Sequence, residues 1–390
     1  MRLISFLFSI VVFVAVVSSS SSSSSSSSLG CPCESSYLCE PLQIAPRQEF
    51  LGFSLNSTQY QNYYWNQLTT LAIFYDTIED ELLCIAHENG VRLVWGTTFP
   101  IENLGSSSYI DEWIQEQIEK VQSTFTDGLN FDVESPITDP NIAQQYTDLV
   151  AATNKAFKSI NPFYQITIDV AWSPSCIDKR CYDYAGLAEA SDFLIAMDYD
   201  ERSQVFGEKV CTAGANSSPS NALAGINNFT ALGINTDQLV MGLPWYGYIY
   251  KSCLNGDEAG LETVVCEIES VPFRGANCSD AAGSEYDYSY LIQLLQDQTI
   301  NSSAVQWNTE WQSPYFNYID PVTGDVDQVW FDNPQSLSIK VQLAQKLNLR
   351  GVAVWNIDFL DFSDQYNSRP MWDALASFFP QPASSEQSLN

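Results

Sequence analysis

Short apolar runs of seven to nine residues, rich in β-branched and aromatic side chains, recur along this 390-residue chain at residues 50–56, 70–76, 91–97, 128–134, 164–172, 192–200, 239–247 and 350–358. Each has the length and composition of a buried strand. Between them lie segments whose apolar residues fall three or four apart. The clearest runs from Pro140 to Ile160, where Ile142, Tyr146, Leu149, Val150, Thr153 and Phe157 share one helical face and Asp139-Pro140 gives a start signal. A second, "DEWIQEQIEKVQSTF", places Trp113, Ile118 and Val121 on its less polar side. Strand and helix repeated in this way predict an α/β protein whose parallel strands close into a (β/α)8 barrel, a TIM barrel. An open doubly wound sheet is the alternative, and it lacks a glycine-rich phosphate turn after the first strand.

One connection breaks the rhythm. Residues 248–333, between the seventh and eighth strands, hold three cysteines and the aromatic stretch "WQSPYFNYIDPVTGDVDQVWF", and predict a small α+β insertion over the barrel mouth. The expected organisation is a leader over 1–28, a barrel over 29–390 and this insertion within it. The leader has one basic residue, Arg2, an apolar run to Val17 and then serines from Ser18 to Ser28, the pattern of a cleaved signal peptide followed by a coreless tract.

The ten cysteines fit an oxidising compartment, with "CPCESSYLCEPL" as a disulfide-tied lead-in and Cys176 and Cys181 as a short closed loop. Zinc is a poor competitor, because the Cys31-Pro32-Cys33 spacing is wrong for a knuckle and the single histidine, His87, sits at the end of a predicted helix. Sequons at Asn56, Asn216, Asn228, Asn277 and Asn301 agree with secretory passage. Loss of Arg2 with the leader takes the formal charge from −31 to −32. Nucleic acid is thereby an unsuitable partner, and an acidic compartment suits a surface that sheds self-repulsion as carboxylates protonate. A structural place for His87 also leaves no base for a Ser-His-Asp or Cys-His site.

Barrel enzymes carry their chemistry at the C-terminal ends of the strands. In "DGLNFDVESP" Asn130, Asp132 and Glu134 share one strand face, opposite Leu129, Phe131 and Val133. Two acids aimed inward with no Lys or Arg nearby in sequence repel each other, so one is expected to hold a proton near neutral or mildly acidic pH. The sixth strand ends in Met197, Tyr199 and Asp200, while Trp95, Trp172, Trp245 and Trp355 end the third, fifth, seventh and eighth. Carboxylates ringed by indoles match a sugar site, since an aromatic face receives the C–H face of a pyranose. Each Trp is equally at home in a core. Asn130 suits a purely structural role, and Asp200 suits a helix cap.

At these residues the chain resembles glycoside hydrolase family 18, whose fourth-strand signature DGxDxDxE reads here as Asp127 to Glu134, followed in order by "MDYD", "GLPWYG" and "GVAVWN". The resemblance implies Glu134 as general acid and then base, Asp132 orienting the substrate's 2-acetamido group, Tyr199 donating to its carbonyl, Asp200 binding the distorted sugar and Trp355 forming the floor. The acetamido oxygen, and no enzyme carboxylate, then attacks the anomeric carbon with retention. Asn130 departs from the family's usual Asp and removes one charge from the ladder. "DVAWSP", "RCYDY" and "VPFRGANCSDAAG" resemble a lysosomal branch of the family that splits the GlcNAcβ1,4GlcNAc core of asparagine-linked glycans. The expectation is a hydrolase without cofactor or metal, acting on N-acetylglucosamine-containing oligosaccharide, monomeric and free of membrane once the leader is gone. An endo-chitinase or endo-β-N-acetylglucosaminidase, and a silent lectin on the same barrel, are the alternatives.

Overall fold

The computed structural model describes residues 30–379; the leader and the poly-serine tract lie outside the described residues. The strands are β1 (Glu49–Ser54), β2 (Thr70–Ile73), β3 (Arg92–Thr97), β4 (Gly128–Phe131), β5 (Gln165–Ala171), β6 (Phe193–Met197), β7 (Leu239–Pro244), β8 (Tyr246–Tyr250), β9 (Gly283–Asp287), β10 (Gln306–Asn308), β11 (Ser313–Ile319), β12 (Val326–Phe331) and β13 (Gly351–Trp355). The helices are α1 (Asp80–Glu88), α2 (Ser107–Ser123), α3 (Pro140–Ile160), α4 (Tyr184–Ala190), α5 (Pro219–Ala231), α6 (Gly256–Ala259), α7 (Tyr288–Gln296), α8 (Pro334–Lys346) and α9 (Gln365–Ala376). β1 to β7 and β13 close a parallel barrel in the order β1-β13-β7-β6-β5-β4-β3-β2. The remaining five strands form an antiparallel sheet, β10-β11-β12-β8-β9.

Strand alternation sorts the side chains into two layers. Leu51, Phe53, Ala72, Val94, Phe193, Ile195, Val240 and Ala353 form a dry plug inside the barrel. The intervening residues of opposite parity in each strand, among them Leu71, Leu93, Leu129, Ile168, Leu194 and Val354, join the helices in the outer core. α3 spans the residues its periodicity predicts, with Asp139 Oδ1 accepting from Asn141 N at 2.8 Å ahead of Pro140 and with Tyr146, Leu149, Val150 and Phe157 buried. β7 runs almost directly into β8, separated by Trp245 alone, so the antiparallel sheet grows out of a barrel stave.

The signature's first two residues hold the framework. Asp127 accepts from the amides of Leu42 and Leu93, each at 2.8 Å, and lies 3.0 Å from His87 Nε2, while His87 Nδ1 meets the Leu38 carbonyl at 2.7 Å. The lone histidine is thus a buried tie between the lead-in, α1 and β4. Gly128 has φ +145°, and a Cβ there would stand 1.9 Å from the Gln165 carbonyl, so only glycine lets β4 meet β5 at this point. All ten cysteines pair, as Cys31–Cys39, Cys33–Cys84, Cys176–Cys181, Cys211–Cys278 and Cys253–Cys266, which leaves no thiolate for a metal. Among the described residues no helix is long and apolar enough to cross a membrane.

Candidate active site

β4 ends at Phe131, yet its alternation continues: Val133 stays buried in the outer core while Asp132 and Glu134 follow Asn130 on the inner side. They climb from a sealed interior to water. Asn130 is fully buried, Asp132 is partly covered, and the Glu134 side chain is 54 % exposed. Asn130 Nδ2 donates to Thr167 Oγ1 at 3.0 Å and to Asp169 Oδ1 at 3.1 Å, so β5 supplies the next inward acid. Above them a cavity of about 190 Å³ is lined by Asp132, Glu134, Asp169, Met197, Tyr199, Asp200, Tyr246, Glu285 and Trp355. A second recess of about 280 Å³ shares Asp132 and runs over Phe74, Tyr75, Asp76, Thr97, Thr98 and Lys120.

Burial governs the charges here. Asp132 is pushed up to about 7 by burial first and the Glu134 charge second, against the pull of Arg180. Burial and the charge of Asp132 drive Asp169 well above the usual carboxylate range, although Asn130's hydrogen bond opposes them. Asp200 also reaches about 7, by burial and by Glu285, opposed by the hydroxyls of Tyr246 and Tyr248 that donate to its Oδ1 at 2.6 and 2.8 Å. Its backbone takes a left-handed turn, φ 51°, and its amide donates to Asn216 Oδ1 at 2.8 Å. At mildly acidic pH the floor of the site therefore carries protons that a carboxylate in water would have lost. Of the Asp132–Glu134 pair, Asp132 is the member that burial pushes toward holding a proton.

Three of the four tryptophans expected at the mouth are elsewhere. Trp95 is buried under Lys120, whose ammonium stands 3.7 Å from its ring, and donates to Thr124 at 3.0 Å. Trp245 is fully buried with its ring 5.2 Å from that of Trp372 on α9. Trp172 faces α5, so near that a Cβ on Gly225 would lie 3.4 Å from its ring. Parity explains all three: Val94, Asp169 and Val240 point inward, which turns 95, 172 and 245 to the helices. Trp355 shares the inward parity of Ala353 and lines the cavity, its ring 5.3 Å from Phe53 and 5.6 Å from Phe74.

The expectation that no cation stands near the two acids is also corrected. Arg180, from the loop after β5, donates from Nη1 to Glu134 Oε2 at 2.5 Å. Nothing local announces this, since 46 positions separate the two residues. Asp169 was legible in "ITIDVAW", where Thr167 and Asp169 alternate with isoleucines, but it was not singled out. Tyr246, Tyr248 and Glu285 come from the antiparallel sheet, where Glu285 pairs with Tyr248 across β8 and β9 and accepts from its hydroxyl at 3.2 Å.

Acids graded from buried to exposed over an aromatic floor define a barrel hydrolase for carbohydrate. The chain belongs to the glycosyl hydrolases family 18, whose sequence profile matches residues 104–359. It is 94 % identical over 361 residues to the probable di-N-acetylchitobiase 2 of Dictyostelium discoideum, covering 93 % of this chain and 94 % of that one. With the di-N-acetylchitobiase of Mus musculus it shares 39 % over 351 residues, 88 % of this chain and 92 % of the other. A class V chitinase from Nicotiana tobaccum, solved in complex with NAG4, has the same fold at a TM-score of 0.68 and 15 % identity, over 85 % of this chain and all of that one. The protein is a glycoside hydrolase.

Proposed function

We propose that the enzyme hydrolyses the GlcNAcβ1,4GlcNAc unit, as left from the core of asparagine-linked glycans, and releases the reducing-end sugar. The observation that carries this reading is the convergence of Asp132, Glu134, Tyr199, Asp200 and Trp355 on one cavity, in a chain so similar to di-N-acetylchitobiases. The non-reducing sugar rests on the Trp355 indole with its acetamido group toward Asp132 and Tyr199. With substrate in place the proton held by Asp132 passes to Glu134, which stands exposed at the mouth and delivers it to the bridging oxygen. As that bond breaks, the acetamido oxygen closes on the anomeric carbon, giving an oxazolinium ion. Asp132 as carboxylate holds the acetamido N–H and balances the positive charge, Tyr199 donates to the acetamido oxygen, and Asp200 holds the distorted ring. Glu134, now ionised, takes a proton from the water that opens the oxazolinium, which returns the original anomeric configuration.

Glu134→Gln keeps the shape and removes the proton; hydrolysis of di-N-acetylchitobiose falls at least about 100-fold, and a variant that retains more than a hundredth of the rate refutes general acid catalysis at its usual strength. The recess beyond Asp132, with room along β2 and β3, favours an endo-acting enzyme on longer chains as the second reading. Products from a free glycan core and from a chitin hexamer separate the two: single GlcNAc from the reducing end supports the first, internal fragments the second. A lysosomal location, a monomer and cleavage of the leader belong to the same proposal, supported by the acidic surface and the five disulfides.

A further inference from the structure

The segment Arg180-Cys181-Tyr182, part of the "RCYDY" motif, grips the residues around Glu134 at three levels. Its backbone forms a parallel bridge with the chain just beyond that residue: Ile137 N donates to Lys179 O at 3.0 Å, and Cys181 N to Ile137 O at 2.9 Å. The Tyr182 hydroxyl lies 2.8 Å from the Val133 carbonyl and 2.7 Å from the Ser135 carbonyl, so one proton is shared by the carbonyls of the two residues on either side of Glu134. Arg180 then reaches the Glu134 carboxyl itself.

The grip is held from behind. Arg180 Nη2 donates to Asp178 Oδ2 at 3.0 Å, Ser203 Oγ to Asp178 Oδ1 at 2.9 Å, and Gln204 Oε1 accepts from the Asp178 amide at 2.6 Å. Arg274, from the insertion, donates to the Asp178 carbonyl. The Cys176–Cys181 disulfide closes this loop, in which Cys176, Asp178 and Lys179 all take left-handed backbone at φ 54°, 54° and 60°. Non-glycine residues avoid that region, so the loop keeps its shape only because the cross-link and these bonds over-determine it. The Arg180 side chain is 8 % exposed against 54 % for Glu134: a buried cation holds an exposed acid by one oxygen and leaves the other free.

We propose that Arg180 and Tyr182, on the disulfide-closed loop after β5, are positioning residues for Glu134, aiming its free carboxyl oxygen at the departing sugar. The inference rests on Glu134 being the general acid. Positioning of an acid matters in proportion to how much the leaving group needs a proton, which supplies a readout that general damage to the fold does not imitate.

The variants Arg180→Met, Arg180→Lys, Tyr182→Phe and Cys176→Ser/Cys181→Ser are assayed on di-N-acetylchitobiose and on a nitrophenyl β-N-acetylglucosaminide, whose phenolate departs unprotonated. For Arg180→Met, kcat on the disaccharide falls about 100-fold with KM within about threefold, while the aryl substrate loses less than about tenfold. Arg180→Lys restores about tenfold of the loss, and Tyr182→Phe and the double Cys variant shift the same ratio of the two rates. Equal losses on both substrates, or disaccharide kcat at the wild-type level in Arg180→Met and Tyr182→Phe, overturn the proposal. If Arg180→Met does not fold, Tyr182→Phe decides alone. Glu134→Gln on the disaccharide keeps the two readings apart: an active Glu134→Gln defeats the assignment of the acid, whereas an inactive one beside unaffected loop variants defeats only the positioning role.

Discussion

Replacement of Glu201 by Gln turns the buried acids into a stability measurement. Glu201 is buried just after the site; its Oε2 accepts from Ser218 N at 2.9 Å, Ser218 Oγ at 3.0 Å and Asn221 Nδ2 at 2.9 Å. Burial pushes it up from 4.5 to about 8, despite those bonds and the Lys340 ammonium nearby. A carboxyl raised in the folded state stabilises below its unfolded value, and that contribution is lost as pH climbs through the folded value. At about 1.4 kcal/mol per unit, this one group withdraws about 4 kcal/mol between pH 5 and pH 8. Asp132, Asp200 and Asp280, raised to about 7, 7 and 8, and His87, also raised, act in the same direction. The wild-type melting temperature therefore falls steadily from pH 5 to pH 8. Glu201→Gln, which cannot ionise, gives a flatter line: it is less stable than wild type by about 1 kcal/mol at pH 5, from poorer acceptance by the amide, and more stable at pH 8. Melting curves of both proteins across that range decide it. Two parallel lines, or a wild type that gains stability toward pH 8, refute the reasoning.

Gly128→Ala collides with the Gln165 carbonyl at the β4–β5 seam and destabilises by more than about 3 kcal/mol, seen as loss of folded protein in expression and as a lowered urea midpoint. Tyr246→Phe with Tyr248→Phe removes both donors from Asp200, raises that carboxyl further, and moves the alkaline edge of activity on the disaccharide upward in a pH–rate profile with a loss of about tenfold or more in kcat; an unchanged profile counts against Asp200 as a sugar ligand. Trp245→Ala costs about 3–5 kcal/mol of stability with KM unchanged in whatever folds, whereas Trp355→Ala leaves stability within about 2 kcal/mol and raises KM at least tenfold, as thermal melts beside saturation kinetics check.

The eight staves were legible because a parallel barrel buries both strand faces and leaves apolar runs of recognisable length, with α3 carrying an unmistakable helical period. Their ends were less legible. The stretches read as strands to Glu134 and Asp200 stop at Phe131 and Met197, since pairing ceases where the chain turns to build the mouth. Asp132, Glu134, Tyr199 and Asp200 were found because alternation and a local motif place them, whereas treating every Trp at a strand end alike ignored the same alternation. Arg180, Tyr248 and Glu285 enter from distant loops and a second sheet, where only folding creates the neighbourhood.

The sequon at Asn216 is consumed by the fold. Asn216 holds the Asp200 amide, Ser217 Oγ accepts from Lys340 at 2.8 Å, and Ser218 caps α5, with all three side chains buried. An oligosaccharide attached to that asparagine during synthesis would have to lie inside the wall of the barrel. Chains modified there would be barred from the native state, so any glycan that a folded molecule carries has to sit on another asparagine.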